Sequence, residues 1–220
     1  MEDRYTDKTS KENEYLGADG KIYPWRPKRV AIHECGHAAA AHLLGIPIQK
    51  VIVRGSQGRT SPEELLRGTA AGLCFRGTSR YPADNIAISL AGMCAEVLLL
   101  DARSLKPDDI WGEGYTLDRE IVQKDLEIFP YDWTLPVSTQ IDDAMNTALE
   151  RTTTLVLDNE RQIRRMSRAL LRETRLDADA ITGFLGERTD DNSMTDERLS
   201  ELIAAANAGR ELARRLEIAA

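Results

Sequence analysis

Two of the three histidines in this chain stand four positions apart, in the segment RVAIHECGHAAAAHLLG. His33 and His37 flank Glu34 in an H-E-x-x-H pattern. On an α-helix, residues four apart lie on one side, so both imidazoles could offer a nitrogen to one metal ion. Zinc accepts such nitrogen ligands, and a neighbouring glutamate can take a proton from zinc-bound water. The pattern therefore predicts a zinc site with Glu34 as its general base.

The same pattern can arise by chance on a core helix, so by itself it is a hypothesis. The third histidine, His42, would lie about 180° round the helix from His33, and we expect it to pack or to face solvent. A catalytic zinc site takes three protein ligands. No histidine follows His42, so the third ligand is expected to be a carboxylate. The residues alone rank Asp118 level with Glu113 and Glu120.

Composition restricts the class of protein. The 220 residues are 42% apolar and 30% charged, which suits an ordinary globular protein with one sizeable core. A net charge of −7 argues against nonspecific nucleic-acid binding. Three cysteines without C-x-x-C spacing predict neither a disulfide framework nor a cysteine zinc site. No signal-peptide segment and no apolar run of about 18 residues is evident, so we expect a cytoplasmic protein without a membrane segment.

The elements that must position the histidines are predicted to be mainly helical. A helix should run from Pro27 to Leu44 and stop at Gly45. Two short apolar runs, IQKVIVRG and TAAGLCFRG, are predicted to pair as strands, with a polar loop between them. Further helices are predicted in 82–104, from Thr116 towards Pro130, in 138–173 as one long helix or two in tandem, and in 176–186. The helix in 82–104 carries a face of small residues for close packing, at Ala91, Gly92 and Ala95.

The expected organisation has three parts. Residues 1–25 lack hydrophobic periodicity and are predicted to be a flexible N-terminal arm. Residues 26–185 form the main domain, which we expect to be mainly α with a small β-sheet that has an edge strand. Residues 186–220 are predicted to be a linker followed by an extra C-terminal amphipathic helix.

Several segments, in order along roughly 28–185, resemble the FtsH family of AAA+ zinc proteases. VAIHECGHAAAAHLLG resembles the V-A-x-H-E-A-G-H-A helix of that family, and KVIVRG and AAGLCF resemble two of its strands. ISLAGMCAEVLL is similar to the helix L-A-G-R-A-A-E-E-L. GYTLDREIVQ occupies the place of G-A-S-N-D-L-x-x-A, and the segment QIDDAM through DADAI resembles the C-terminal part of the protease domain.

This resemblance implies a helical zinc-peptidase domain that hydrolyses peptide bonds in unfolded or exposed polypeptide segments. Carried onto this sequence, it implies His33 and His37 as zinc ligands and Glu34 as the base. It also implies Asp118 as the third ligand, a choice that the residues alone left open.

Two further positions take a role from the resemblance. Gly72 aligns with a glycine in the strand at the edge of the cleft, where an extended substrate could pair with the backbone. A bulge or turn glycine is an equally good explanation. Glu96 aligns with a family glutamate on a helix near the site. It could orient a ligating imidazole, or it could be an ordinary solvated glutamate.

The sequence also departs from the family. It shows no counterpart of the ATPase module or the membrane anchor, Cys35 replaces an alanine in the metal motif, and 126–137 and the C-terminal tail have no clear match. We therefore expect a zinc metalloendopeptidase that is ATP-independent on its own and acts on polypeptides. A homo-oligomer and an ATPase partner in trans are both compatible with this reading. The alternative is a zinc-retaining but non-catalytic subunit of a larger protease assembly.

Overall fold

The computed structural model describes residues 14–16, 22–24, 26–53, 72–100, 116–128, 136–188, 191–193 and 204. Over these ranges the protein is mainly helical with a small antiparallel sheet, as the sequence predicted. The helices are α1 (Pro27–Leu43), α2 (Pro82–Leu99), α3 (Thr116–Glu127), α4 (Val137–Asp158), α5 (Glu160–Glu173) and α6 (Ala178–Leu185). The strands are β1 (Glu14–Leu16), β2 (Ile22–Pro24), β3 (Ile48–Val53), β4 (Gly72–Arg76) and β5 (Arg175–Asp177).

The helix that carries the H-E-x-x-H pattern begins and ends where the sequence predicted, to within one residue. Pro27 occupies the first turn of α1, where its missing N–H costs nothing. At the other end, Gly45 has a φ of 78°, in the left-handed region that favours glycine. The chain can therefore turn sharply from α1 into β3.

α1 and α2 cross at small side chains in the centre of the core. A Cβ atom added to Gly36 would lie 2.5 Å from the Ala91 carbonyl oxygen and 2.8 Å from Ala95 Cβ. These distances are shorter than van der Waals contact, so the helices approach this closely only because position 36 is glycine. The small-residue face predicted for α2 is confirmed.

By length and composition alone, α2 could cross a membrane, since its 18 residues have a mean hydropathy of 1.3. The rest of the chain buries 83% of this segment, as it would for a core helix of a soluble protein. The expected absence of a membrane segment therefore stays a prediction.

The three-stranded sheet has β3 in the centre, with β4 on one side and β5 on the other, both antiparallel. The predicted pairing of the two apolar runs is confirmed, with Val51 opposite Cys74 and Val53 opposite Gly72. β5 was not predicted. It has only three residues, of which Leu176 alone is buried, so it is too short to show a period.

The long helical segment proves to be two helices in tandem. α4 and α5 are separated at Asn159, whose side-chain amide donates a hydrogen bond to the Leu155 carbonyl. α5 buries one side of its surface in the core, at Ile163, Met166 and Leu170. The sequence allowed one long helix or two in tandem, and the structure has two.

Both ends of the main domain carry structure that the sequence did not predict. In the predicted N-terminal arm, β1 and β2 pair antiparallel, with Tyr15 opposite Tyr23. In the predicted linker, Asn192 donates backbone and side-chain hydrogen bonds to the carbonyls of Gly45 and Leu44. The predicted loop 56–67 and, apart from residue 204, the extra C-terminal helix lie outside the described residues, and the domain boundaries stay predictions.

Candidate metal centre

The two histidines of the motif meet on one side of α1. Their rings pack edge to face with centroids 4.5 Å apart, and His33 Nε2 lies 2.9 Å from His37 Nε2. His37 is buried and His33 is partly exposed. The four-residue spacing therefore brings two imidazole nitrogens to one point, as the helical period predicts.

Asp118, in the first turns of α3, supplies a carboxylate at the same point. Its Oδ2 lies 3.1 Å from His33 Nε2, and its Oδ1 lies 3.3 Å from His37 Nε2. α3 packs against α2, and this packing fixes where the carboxylate stands. The three side chains named from the resemblance thus form one cluster with their ligand atoms within 4.8 Å of one another.

The dimensions of this cluster fit a zinc ion. Zinc binds imidazole nitrogen and carboxylate oxygen at about 2.0–2.1 Å, so two ligands of a tetrahedral site are separated by about 3.3 Å. The separations of 2.9, 3.1 and 3.3 Å between the ligand atoms are close to that value. Two nitrogens and one oxygen are also the donor set of a catalytic site that leaves a fourth position open.

The second nitrogen of each imidazole is held by α2. His37 Nδ1 lies 2.7 Å from the Ile88 carbonyl oxygen, to which it donates its proton. His33 Nδ1 lies 2.8 Å from Glu96 Oε1, a close contact with a carboxylate. Both contacts favour the tautomer whose Nε2 carries the lone pair that a metal needs.

The charges in the cluster are strongly coupled. Burial lowers the pKa of His33, but hydrogen bonds to Asp118 and Glu96 outweigh it and raise that pKa well above 6.5. Burial raises the pKa of Asp118, but the charge of His37 and the hydrogen bond from His33 outweigh it and place that pKa far below 3.8. Asp118 is therefore ionised at neutral pH, the state in which a carboxylate binds a cation.

Glu34 is buried beside the two imidazoles and under β4. Burial raises its pKa above 4.5, although the nearby charges of His33 and His37 oppose the shift. A Cβ atom on Gly72 would lie 2.7 Å from Glu34 Cγ and 3.0 Å from Glu34 Oε1. The glycine at the start of this strand therefore leaves the space that the Glu34 side chain occupies.

Gly92 has a part that sequence reasoning did not recognise. A Cβ atom at this position of α2 would lie 2.5 Å from His37 Nε2 and 2.7 Å from His33 Nε2. The glycine thus packs directly against the Nε2 atoms of both imidazoles in the cluster. The sequence placed Gly92 on a small-residue face, but it gave no sign that this face covers the two imidazoles.

The remaining candidates lie elsewhere. His42 is buried, and its Nε2 donates a hydrogen bond to the Gly186 carbonyl at 2.7 Å. Glu120 is exposed, and Glu113 lies outside the described residues. Burial raises the pKa of the Cys35 thiol well above 9.0, which keeps it neutral and unreactive within the core.

Comparison with known protein families and with characterised proteins gives no match for this chain. The class of site is thus defined by its geometry, as a buried cluster of two histidines and one aspartate beside a glutamate. Membership of the FtsH family stays a prediction.

Proposed function

We propose that this protein is a zinc-dependent endopeptidase that resembles the proteolytic domain of FtsH. The observation that supports this most strongly is the triangle of His33 Nε2, His37 Nε2 and an Asp118 oxygen, with separations of 2.9–3.3 Å. Such a triangle matches three corners of a tetrahedral zinc site. Glu34, which metal retention alone does not require, lies buried beside it.

The residues divide the work of peptide hydrolysis between them. A bound zinc ion supplies Lewis-acid polarisation of a carbonyl and acidifies a water molecule. Glu34 accepts a proton from the attacking water and returns it to the leaving amine. Glu96 and the Ile88 carbonyl hold the two imidazoles in orientation.

An extended polypeptide is the substrate that suits the position of β4. This strand is at the edge of the three-stranded sheet that the described residues form, and its first residue, Gly72, packs against Glu34. An edge strand can bind an extended segment through backbone hydrogen bonds. A folded protein offers such a segment only after local unfolding, so unfolded chains and exposed loops are the expected substrates.

The test combines zinc analysis with cleavage of one protein in two states, native and permanently unfolded by reduction and alkylation. We expect one zinc per chain and cleavage of the unfolded form without added ATP. His33→Ala should lose both zinc and activity, and Glu34→Gln should lose activity alone.

Each other outcome has a separate meaning. Zinc binding in the wild type without any cleavage above the Glu34→Gln level would reject the peptidase and favour the non-catalytic zinc subunit. A folded wild-type protein that binds no zinc would reject both.

A further inference from the structure

The two ligand imidazoles have unlike partners behind them. His37 donates to a neutral backbone carbonyl that α2 holds in place, whereas His33 contacts a flexible side chain, that of Glu96. A backbone carbonyl within a helix is rigid. A glutamate has three rotatable bonds, so something else must fix it if it is to orient His33.

Arg29 provides that second contact. Its Nε donates to Glu96 Oε2, while Glu96 Oε1 faces His33 Nδ1, so the carboxylate bridges the two side chains. Arg29 lies four residues before His33 on α1, on the same side of the helix. One helix therefore carries both the ligand and the residue that holds its partner.

The charges support this arrangement. Glu96 is only 6% exposed, and a buried carboxylate is costly unless an opposite charge and hydrogen bonds compensate it. Arg29 is about one third exposed, so its guanidinium reaches the buried carboxylate from the surface while remaining partly solvated. The pair thereby links the protein surface to the Nδ1 side of His33.

We propose that Arg29 is a positioning residue of the metal centre, which acts through Glu96 to hold His33 Nε2 at its corner of the ligand triangle. The proposal rests on the proposed zinc site and adds a residue outside the H-E-x-x-H motif. Without Arg29, Glu96 Oε2 loses this charged contact, so the carboxylate and the His33 ring that it faces are held less firmly.

The experiment is a double-mutant cycle on metal binding, with Arg29→Met, Glu96→Gln and the double variant. Zinc affinity is measured by competition with a chelator, and ligand geometry by the visible spectrum of the protein loaded with Co²⁺. Arg29→Met should weaken zinc binding by about tenfold, in the range that partners of metal ligands typically show, and should alter the Co²⁺ spectrum. Arg29→Lys, which keeps the charge, should restore most of the affinity.

Because Arg29 acts through Glu96, the double variant should bind zinc no more weakly than Glu96→Gln alone. Arg151→Met is the matched control. Arg151 Nη1 lies 2.6 Å from Oδ1 of the buried Asp84, at the other end of α2 from Glu96. This control should lower thermal stability and leave zinc affinity unchanged.

Wild-type zinc affinity and an unchanged Co²⁺ spectrum in folded Arg29→Met would overturn the proposal, and so would equal losses in the Met and Lys variants. If Arg29→Met does not fold, Arg29→Gln carries the same expectation. A wild type that binds no zinc would overturn the proposed function itself, which keeps the two failures distinct.

Discussion

α3 carries two aspartates on one side, seven residues apart, whose pKa values are shifted in opposite directions. Asp118 lies between two imidazoles, which outweigh the effect of burial and place its pKa far below 3.8. Asp125 is also buried, but there burial dominates and raises its pKa to about 7, with only partial compensation from Arg76 and Asn85. At pH 7 the same residue type on the same helix is thus fully ionised in one place and only about half ionised in the other.

The difference follows from the number of partners that each carboxylate has. Both oxygens of Asp118 lie within 3.3 Å of a ring nitrogen. At Asp125, Oδ2 has no hydrogen-bond partner among the residues that the structure describes. A buried carboxylate stays charged only where cations or donors replace the water it has lost. α3 therefore presents one carboxylate prepared to bind a cation and another that resists being charged.

The largest effect is expected from substituting Glu34, which is buried beside the cluster of His33, His37 and Asp118. Glu34→Gln should retain zinc and the fold, because glutamine is nearly isosteric and Glu34 is not a ligand. It should lower the rate of peptide cleavage by about 10²–10⁴-fold, since the amide cannot accept the proton from water. Turnover at the wild-type rate, measured on the zinc-loaded variant, would exclude Glu34 as the base.

A smaller effect is expected from crowding His33 and His37, the two imidazoles that contact Asp118. Gly92→Ala would place a methyl group 2.5 Å from His37 Nε2 and 2.7 Å from His33 Nε2, well inside van der Waals contact. The rings must move, so zinc affinity should fall by at least about tenfold, and the misfit should cost roughly 1–3 kcal/mol of stability.

The control for this substitution is Gly183→Ala in α6, where an added Cβ meets nothing within 4 Å. It should leave zinc binding unchanged and stabilise the protein by up to about 1 kcal/mol, because alanine is the better helix former. Equal zinc affinities in the two alanine variants would contradict the packing described at Gly92.

The weakly partnered carboxylate predicts a pH dependence of stability. The pKa of Asp125 is about 7 in the fold and 3.8 in its ordinary state, so the folded protein holds a proton that the unfolded chain has released between these values. Stability should therefore fall as pH rises from about 4 to 7, and the full cost should be present above pH 7.

Asp125→Asn removes this cost. On metal-free protein, urea unfolding should show the variant to be more stable than wild type by roughly 2–4 kcal/mol at pH 8.5. The two proteins should differ little at pH 4. A variant that is less stable than wild type at pH 8.5 would mean that the charge of Asp125 is compensated better than the described contacts allow.

The sequence predicted the parts of this fold that depend on local chemistry. Pro27 and Gly45 mark the ends of α1 because proline and glycine have backbone preferences of their own. The approach of His33 and His37 on one side of α1 was predicted from helical periodicity. β5 was missed because three residues cannot show a period, and the α4–α5 break remained open because Asn159 is compatible with either a continuous or a broken helix.

The tertiary part of the site was less accessible to sequence reasoning. The residues alone ranked Asp118 level with Glu113 and Glu120, because nothing local says which carboxylate the packing of α3 on α2 brings to the histidines. His37 Nδ1 bonds to the backbone carbonyl of Ile88, and a backbone contact cannot be predicted from the type of side chain at that position. Arg29 lies outside the motif, and its role depends on the contact that α2 makes with α1.

The zinc content of three purified proteins tests the central claim most directly. The wild type, Asp118→Ala and Glu120→Ala differ in acidic residues two positions apart on α3, of which only Asp118 belongs to the cluster. We predict one tightly bound zinc per chain in the wild type and in Glu120→Ala, and a marked loss of zinc in Asp118→Ala. Full zinc content in Asp118→Ala, with loss in Glu120→Ala, would contradict the assignment of the metal centre.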